Sequence, residues 1–536
     1  MDRVEKPIES QAGRMFTNAT QNSSEASSDK EDVQNRLGGT SKRVIQVCVT
    51  AALGGFLYGF SANAMSGTLA QTSFVALFLT TSDATSRMDA LLASFLGGAF
   101  VGSIVQAPMS NRWGRRKANL AAALVSIVAG VLQSASYHIA MLLVARVLCG
   151  IGAGMVIANS PVYMSEVAPP RTRGLLVGLQ GVGIVTAYIA CSLCGLIFSF
   201  VQNPVQWRLT FIVLTVSAVG FAFSLIFLPE SPRWLMEKGR EKQARAELER
   251  LHRTKSDPDG TLARAEATQI KAQVEAERHL PKGYVYIFKT PHLRKRAFCS
   301  ILLWVMGQGT GITAIANLIP VLMGGLGFGT TLQLGLGCAW TVAAIAGCLV
   351  NVAYLDKIGR VRLLVIGGIT NATILATMTA LVKYYLNTTF QPGINALVAL
   401  YFIFGFAFTS TIECTAYVYG SEIWPTHLRS EGSTIAYASF FGNALAYSAP
   451  VNLALKNIGW KYYLVFVSVT VVSTAILAVY FPETKNLTLE EINAKFGDEV
   501  AVDLKDAIAA EVQAGTGIGN ATSHLKGKEI ITALPS

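Results

Sequence analysis

The stretch "EVAPPRTR" at residues 166–173 returns as "EIWPTHLR" at residues 422–429. An acid, a proline three places on and an arginine four beyond it keep their spacing in both copies. Two further motifs repeat around them. "NRWGRRK" (111–117) precedes the first copy and "DKIGRVR" (356–362) the second, while "PES" (229–231) and "PET" (482–484) follow. Three unlike motifs recur in one order at nearly one separation, so the chain is written twice.

What lies between the motifs sets the class. Hydrophobic residues make up 51% of the chain and charged residues 14%, with a mean hydropathy of +0.43, which excludes an ordinary soluble protein. A run of about 20 apolar residues crosses a hydrocarbon core of about 30 Å. Such runs fall at 44–66, 90–110, 118–137, 139–160, 174–198 and 209–228, then at 297–320, 332–354, 363–386, 394–418, 431–454 and 461–481. The expectation is an all-α membrane protein with twelve spans in two six-helix bundles, the parallel-repeat plan of a rocking transporter with a cavity between its halves. Its parts are a polar tail at 1–43 that reads as disordered, a bundle at 44–228, a linker at 229–296, a second bundle at 297–481 and a tail at 482–536. Within the linker, "SPRWLMEKGREKQARAELERLHR" (231–253) has the spacing of short amphipathic helices.

The net charge of +11 matters less than its placement. If the N-terminus is inside, the inner loops hold Arg112, Arg115, Arg116, Lys117, Arg171, Arg173, Lys357, Arg360, Arg362 and Arg429. The outer loops hold Arg87, Arg208, Lys383, Lys456 and Lys461. This bias puts both termini in the cytoplasm and makes the lipid bilayer, not nucleic acid, the macroscopic partner. Residues 1–42 carry no cleavable signal peptide pattern, so the first span is expected to target the chain. The sequon at Asn387 falls outside and is the expected glycosylation site; those at Asn18, Asn22, Asn486 and Asn520 fall inside and should stay bare. The eight cysteines lie in or at the ends of spans, which argues against a disulfide framework. "CSLC" (191–194) reads as packing groups on a membrane helix. The six histidines are scattered, so no metal site is expected. No nucleophile, base and orienting group cluster, so neither an enzyme nor a cofactor is expected.

The repeated motifs supply a candidate cytoplasmic gate. It comprises Arg112, Arg115, Arg116, Glu166, Arg173, Glu230 and Arg233 in the first half, and Asp356, Arg360, Arg362, Glu422, Arg429 and Glu483 in the second. Acids and guanidiniums so placed can pair bidentately and hold that face closed until a solute favours the other state. Plain positive-inside topology with helix caps is the alternative. Glu413 stands inside the tenth span, where a carboxylate is by default a functional candidate; a structural acid beside a wet cavity is its alternative.

"LCGIGAGMVIANSPVYMSEVAPPRTR" (148–173), with Gly150, Gly154, Tyr163, Glu166 and Arg173 in register, resembles a signature of the sugar porter family of the major facilitator superfamily. "WRLTF" (207–211), "LPESPRWL" (228–235) and "FPETKNLTLEEI" (481–492) match it too, and "IGWKYYLVF" (458–466) looks like its fungal branch. The resemblance covers about 44–496 and implies alternating access, a single-chain carrier at the cell surface and a small-molecule substrate held by the fifth, seventh, tenth and eleventh spans among others.

The pocket departs from that pattern. Where the family reads "QQxxGxNxxxYY", this chain reads "GQGTGITAIANL" (307–318), keeping only Gln308 and Gly311; Thr313 replaces the asparagine, and Asn317 and Leu318 the tyrosines. The fifth-span glutamine aligns with Gly181, and Gln180 stands one place early, about 100° round a helix. Tyr417 and Phe441 take the places of two tryptophans. Amides and hydroxyls beside aromatic faces suit a polyhydroxylated ligand, so Gln180, Gln308, Thr313, Asn317, Tyr417 and Phe441 are the expected substrate contacts, with a polyol, a cyclic organic acid or a secondary metabolite as open as a hexose. The family's first-span "GGFLFGYDxGVISG" aligns with "GGFLYGFSANAMSG" (54–67) and places its aspartate on Ser61. The resemblance implies that proton-coupled members pair this aspartate with a fourth-span arginine, here Arg146, whereas passive facilitators are neutral there. Ser61, Arg146 and Glu413 are therefore the coupling candidates, and facilitated diffusion is the expectation. The alternatives are proton coupling or export through Glu413, and a non-transporting nutrient sensor.

Overall fold

The computed structural model describes residues 41–485 apart from 81–82, 170–171, 254–259, 278–279, 282, 386–387 and 389, together with 487, 492 and 495–497. The tail at 1–40, most of the chain beyond 485 and the sequons named above, Asn18, Asn22, Asn387, Asn486 and Asn520, lie outside the described residues. Every regular element among the described residues is helical.

The first six spans are Lys42–Leu69, Ala84–Trp113, Arg115–Ser134, Ile139–Val167, Arg173–Ser199 and Gln206–Ser224. They pack as one bundle because small residues let helices approach closely in a solvent that supplies little hydrophobic drive between them. Gly98 and Gly102 of the second span face Gly150 and Gly154 of the fourth. A Cβ on Gly150 would sit 2.1 Å from the Phe95 carbonyl oxygen, and one on Gly154 2.2 Å from that of Ala99. Apolar side chains such as Val128, Val216 and Phe223 cover the outside, where hydrocarbon is the solvent.

The second bundle contains irregular backbone. Its seventh span is two helices, Pro291–Gly309 and Ile312–Gly325. Gly311 between them holds φ +75°, and its absent Cβ would meet the Phe466 ring at 2.7 Å, so the break needs glycine twice over. The eighth and ninth spans, Thr330–Ile358 and Arg360–Tyr385, are continuous, whereas the tenth, Gln391–Phe408, passes through a π-helical turn at Thr409–Glu413 before resuming as Cys414–Glu422. The twelfth is Lys461–Tyr480.

Eleven helices among the described residues are long and apolar enough to cross a membrane, against twelve expected spans. The remaining one is the eleventh span, Arg429–Ser448. Its Glu431, Ser433 and Thr434 are buried against the first bundle, so their polarity lowers the hydropathy without facing lipid. Pro450 separates it from a short helix, Val451–Ile458, that the sequence had merged into one run.

The bundles meet along the second and eleventh spans and along the fifth and eighth. Between them in sequence, helices Pro232–Glu237, Glu241–His252 and Thr261–Glu277 close on a small core of Trp234, Leu235, Leu248 and Ile270. Glu241 pairs with Arg245 of its own helix at 2.8 Å and ties that helix to the next through Lys271 at 3.1 Å.

Candidate functional site

At the linker end of each bundle the repeated motifs build the same cluster. Gly114 (φ +95°) ends the second span and Gly359 (φ +108°) the eighth, and a Cβ at either would collide with a carboxylate, Glu230 at 2.4 Å and Glu483 at 2.8 Å. That space lets Glu230 accept the Arg115 and Arg116 backbone N–H groups at 2.9 and 3.1 Å. Glu483 accepts those of Arg360 and Val361 at 2.9 and 3.0 Å. Each carboxylate thus caps a helix N-terminus, where donors and dipole favour an anion. Burial nevertheless pushes the Glu230 carboxyl above its usual range, against those donors and the Arg115 charge.

Arg115 then clasps Glu166 through Nε and Nη2, both at 2.9 Å, and Ser231 donates to the same acid at 2.6 Å. In the second half Arg360 clasps Glu422 at 3.3 and 3.1 Å, Thr484 donates to it at 3.1 Å, and Asp356 adds an ion pair at 2.9 Å. Tyr163 donates to the Pro229 carbonyl at 2.8 Å, and Tyr419 to that of Pro482 at 3.2 Å. The repeat is therefore preserved contact by contact. Each bidentate pair is internal to its own bundle, which corrects a simple reading of them as the bond between halves.

The bond between halves is made by other residues. Asn111 donates to Glu431 at 2.9 Å, Ser433 to the Ala158 carbonyl at 2.7 Å and Thr434 to the Ser103 carbonyl at 3.1 Å. Arg429, 1% exposed, lies within electrostatic reach of Glu166 across the junction. Arg116 also reaches the Ile226 carbonyl at 3.1 Å, and Arg362 meets Glu483 through its backbone at 3.4 Å. Arg112 closes the second span and Arg233 sits in the first linker helix; the Arg173 side chain lies outside the described residues. At the opposite end of the molecule Asn452 donates to Asp89 at 2.7 Å. Both ends are tied across the junction.

Between those ends lies a cavity lined by side chains of both bundles. Both backbone breaks deliver side chains to it. Gln308 and Thr313 flank the Gly311 turn and bond to each other at 2.5 Å, and Asn317 donates to the Thr313 carbonyl at 2.9 Å. Glu413 ends the π turn, partly open to the cavity, and accepts from Tyr417 at 3.3 Å. Discontinuous membrane helices and π turns commonly mark such sites, because they free backbone groups only where protein or a polar cavity can satisfy them.

Of the six expected substrate contacts, Gln308, Thr313, Asn317 and Tyr417 line this cavity and Gln180 and Phe441 do not. Gln180 is fully buried beneath Gly55, whose Cβ would lie 3.2 Å from its Nε2. Phe441 is buried against Tyr58 with ring centroids 5.9 Å apart, and its neighbour Phe440 forms the wall instead. Tyr58, Asn63, Tyr188 and Trp340 also line the cavity without having been singled out. Tyr58 and Asn63 stand in the quoted first-span motif, where attention to aromatic and amide groups would have found them. Ser61 is buried and donates to the Leu57 carbonyl at 2.8 Å. Its own carbonyl accepts from Arg146 at 3.1 Å. Arg146 lines the cavity, stacked over Phe95 at 4.5 Å. Among the described residues no three His, Cys, Asp or Glu side chains form a metal-binding group.

A helical membrane protein with twin six-helix bundles, linker-end acid–arginine clusters and a central cavity of apolar walls with a few amide, hydroxyl and charged groups is a carrier of the major facilitator fold. The model of the family "Sugar (and other) transporter" matches residues 47–496, and the chain belongs to that family. It is 30% identical to MFS-type transporter criB of Aspergillus cristatus over 86% of this chain and 94% of the relative. It is 28% identical to the arabinose-proton symporter of Bacillus subtilis over 84% and 94%, and 27% identical to a high-affinity glucose transporter of Kluyveromyces lactis over 84% of each. The solved proton:xylose symporter XylE, bound to 6-bromo-6-deoxy-D-glucose, superposes with a TM-score of 0.75 at 24% identity, covering 85% of this chain and 100% of XylE. The protein is a multi-pass membrane transporter and not an enzyme.

Proposed function

We propose that this chain carries a small polyhydroxylated solute by alternating access around the central cavity, as a facilitator rather than a proton symporter. The observation that carries this reading is the cavity itself, where Gln308, Thr313, Asn317 and Tyr417 offer amide and hydroxyl groups beside aromatic walls. The contacts at both ends of the junction then act as alternating closures. Passive flux follows from Ser61, which has no proton to exchange near neutrality and whose hydroxyl is spent within its own helix. The linker end faces the cytoplasm with both termini, in the plasma membrane, and the chain works as a monomer.

Uptake of labelled sugars, polyols and sugar acids into proteoliposomes, with and without a pH gradient, tests the reading. Equilibration without accumulation is the expected result. Gradient-driven accumulation that an uncoupler abolishes would refute the facilitator. That second reading has its own observation: Glu413 opens onto the same cavity and has Tyr417 as its hydrogen-bond partner. In that event Glu413→Gln should eliminate the accumulation.

A further inference from the structure

Arg146 is a guanidinium without a resident counter-charge. It is 1% exposed, and its Nη1 donates to the Ser61 backbone carbonyl at 3.1 Å while its Nε has no hydrogen-bond partner. The ionisable groups that act on it are the thiols of Cys149 and Cys191. Arg146 forms no ion pair with a carboxylate of the described residues. Glu413 shares the cavity, yet the groups within its reach are Tyr58, Tyr188, Cys348, Tyr417 and Tyr437. The two charges also differ in kind: a carboxylate can take up a proton in a dry site, whereas an arginine keeps its charge. The arginine is the group that requires an anion, and Ser61 holds the place where the chain could have supplied one.

We infer that the carried solute bears a carboxylate and that Arg146 receives it at the cavity wall. The inference rests on the reading of this cavity as the transport site and names the class of solute it takes. Arg146 is the one basic side chain among the described lining residues and Glu413 the one acidic side chain. One guanidinium suits a monoanion and leaves a dianionic phosphate ester undercompensated. Its free Nε, beside an Nη, forms an edge that a planar carboxylate matches. The hydroxyls of the same solute meet Gln308, Thr313 and Asn317, so the class is a small hydroxylated monocarboxylic acid.

The test uses the full-length chain in proteoliposomes, with galactose against galacturonate and glucose against gluconate and glucuronate, and acetate and lactate against chloride at equal ionic strength. Transport is read for the sugars and sugar acids, and protection from thermal unfolding for all. At least one sugar acid should bind tenfold or more tightly than its neutral twin, and simple carboxylates should protect more than chloride does. Arg146→Gln should remove both preferences. Should that variant fail to fold, Ser61→Asp serves in its place, since it supplies an internal carboxylate beside Arg146 and should displace the external one. Equal treatment of acids and neutral twins in the unaltered protein, or a preference that survives Ser61→Asp, overturns the inference. Transport of neutral sugars alone would do so while leaving the transport reading intact. If no member of the panel binds, protects or moves, both fail.

Discussion

Replacing Glu166 by Gln should destabilise the protein more than replacing Glu422 by Gln, although the two acids occupy matched places in the repeat. Glu166 and Arg115 are 1% and 4% exposed and meet through two bonds of 2.9 Å, with Ser231 at 2.6 Å. A glutamine keeps one acceptor, turns an amide against the other guanidinium N–H and leaves a buried cation without its hydrogen-bonded charge partner, with only the more distant charges of Glu230 and Glu237 near it. Breaking such a pair costs about 3–5 kcal/mol, and the retained acceptor puts the change near the lower end. Glu422 is 12% exposed, its bonds to Arg360 are 3.3 and 3.1 Å, and Arg360 keeps Asp356 at 2.9 Å after the substitution. Loss of one charge-assisted bond of that quality costs about 1.5 kcal/mol. The difference, about 1.5 kcal/mol, is roughly tenfold in the unfolding equilibrium. Denaturation of both variants in one detergent reads it directly. Since neither acid lines the cavity, solute affinity should stay within about tenfold while turnover falls. An equal or larger penalty at Glu422, or a greater loss of affinity in a folded variant, would refute the assignment of these clusters as braces within each bundle.

Ser433→Ala combined with Thr434→Val removes two hydrogen bonds across the junction at the linker end, each worth about 1 kcal/mol. The open population on that side should rise roughly 30-fold, measured as alkylation of the new thiol in an Asn111→Cys background with and without the two changes, since that background already lacks the Asn111–Glu431 bond in both arms; unchanged labelling would count against the closure. Gly311→Ala should lower both stability and transport, because the left-handed backbone costs about 1–2 kcal/mol and the new methyl meets Phe466. Gly325→Ala, with nothing within 4 Å of the added carbon, is the control and should be silent. Mapping of N-glycans on the full-length chain should find Asn387 as the modified sequon, and a glycan on Asn18 or Asn520 would reverse the proposed orientation.

Hydropathy and the internal repeat made the helices and the linker-end clusters legible, because both depend on spacing along the chain. Pairing across helices does not. Glu166 and Arg173 share a motif, yet Arg115 is the clasp on Glu166, chosen by how the third span lies against the fourth. The real ties between halves, Glu431, Ser433 and Thr434, sit in the span whose polarity hid it from a hydropathy threshold. A one-residue shift decided two of the cavity assignments. Gln180 stands one place before the expected position and turns into the first span under Gly55, while Phe441 yields the wall to Phe440. Rotation of about 100° per residue converts such a shift into a change of face.

The two bundles are alike where they are braced and unlike where they meet the cavity. Gly114 and Gly359, Glu230 and Glu483, and Arg115 and Arg360 reproduce one construction at both linker ends, as a mechanism that pivots two similar bodies requires. The breaks in the helices are not shared. The first span runs unbroken from Lys42 to Leu69, whereas the seventh, its repeat, divides at Gly311, and among the described residues the tenth alone carries a π turn, at Thr409–Glu413. Among the described lining residues, more amide and hydroxyl groups reach the cavity from the second bundle, beside Tyr58, Asn63 and Tyr188 from the first, and the one cation, Arg146, reaches it from the first. A solute that engages both must span the junction, so its binding couples the bundles directly: the hydroxylated end is read by the half whose backbone bends, and a charge by the half whose backbone stays rigid. Under that division, variants at Gln308 or Asn317 should alter discrimination among stereoisomers, and variants at Arg146 should alter discrimination by charge, each with little effect on the other.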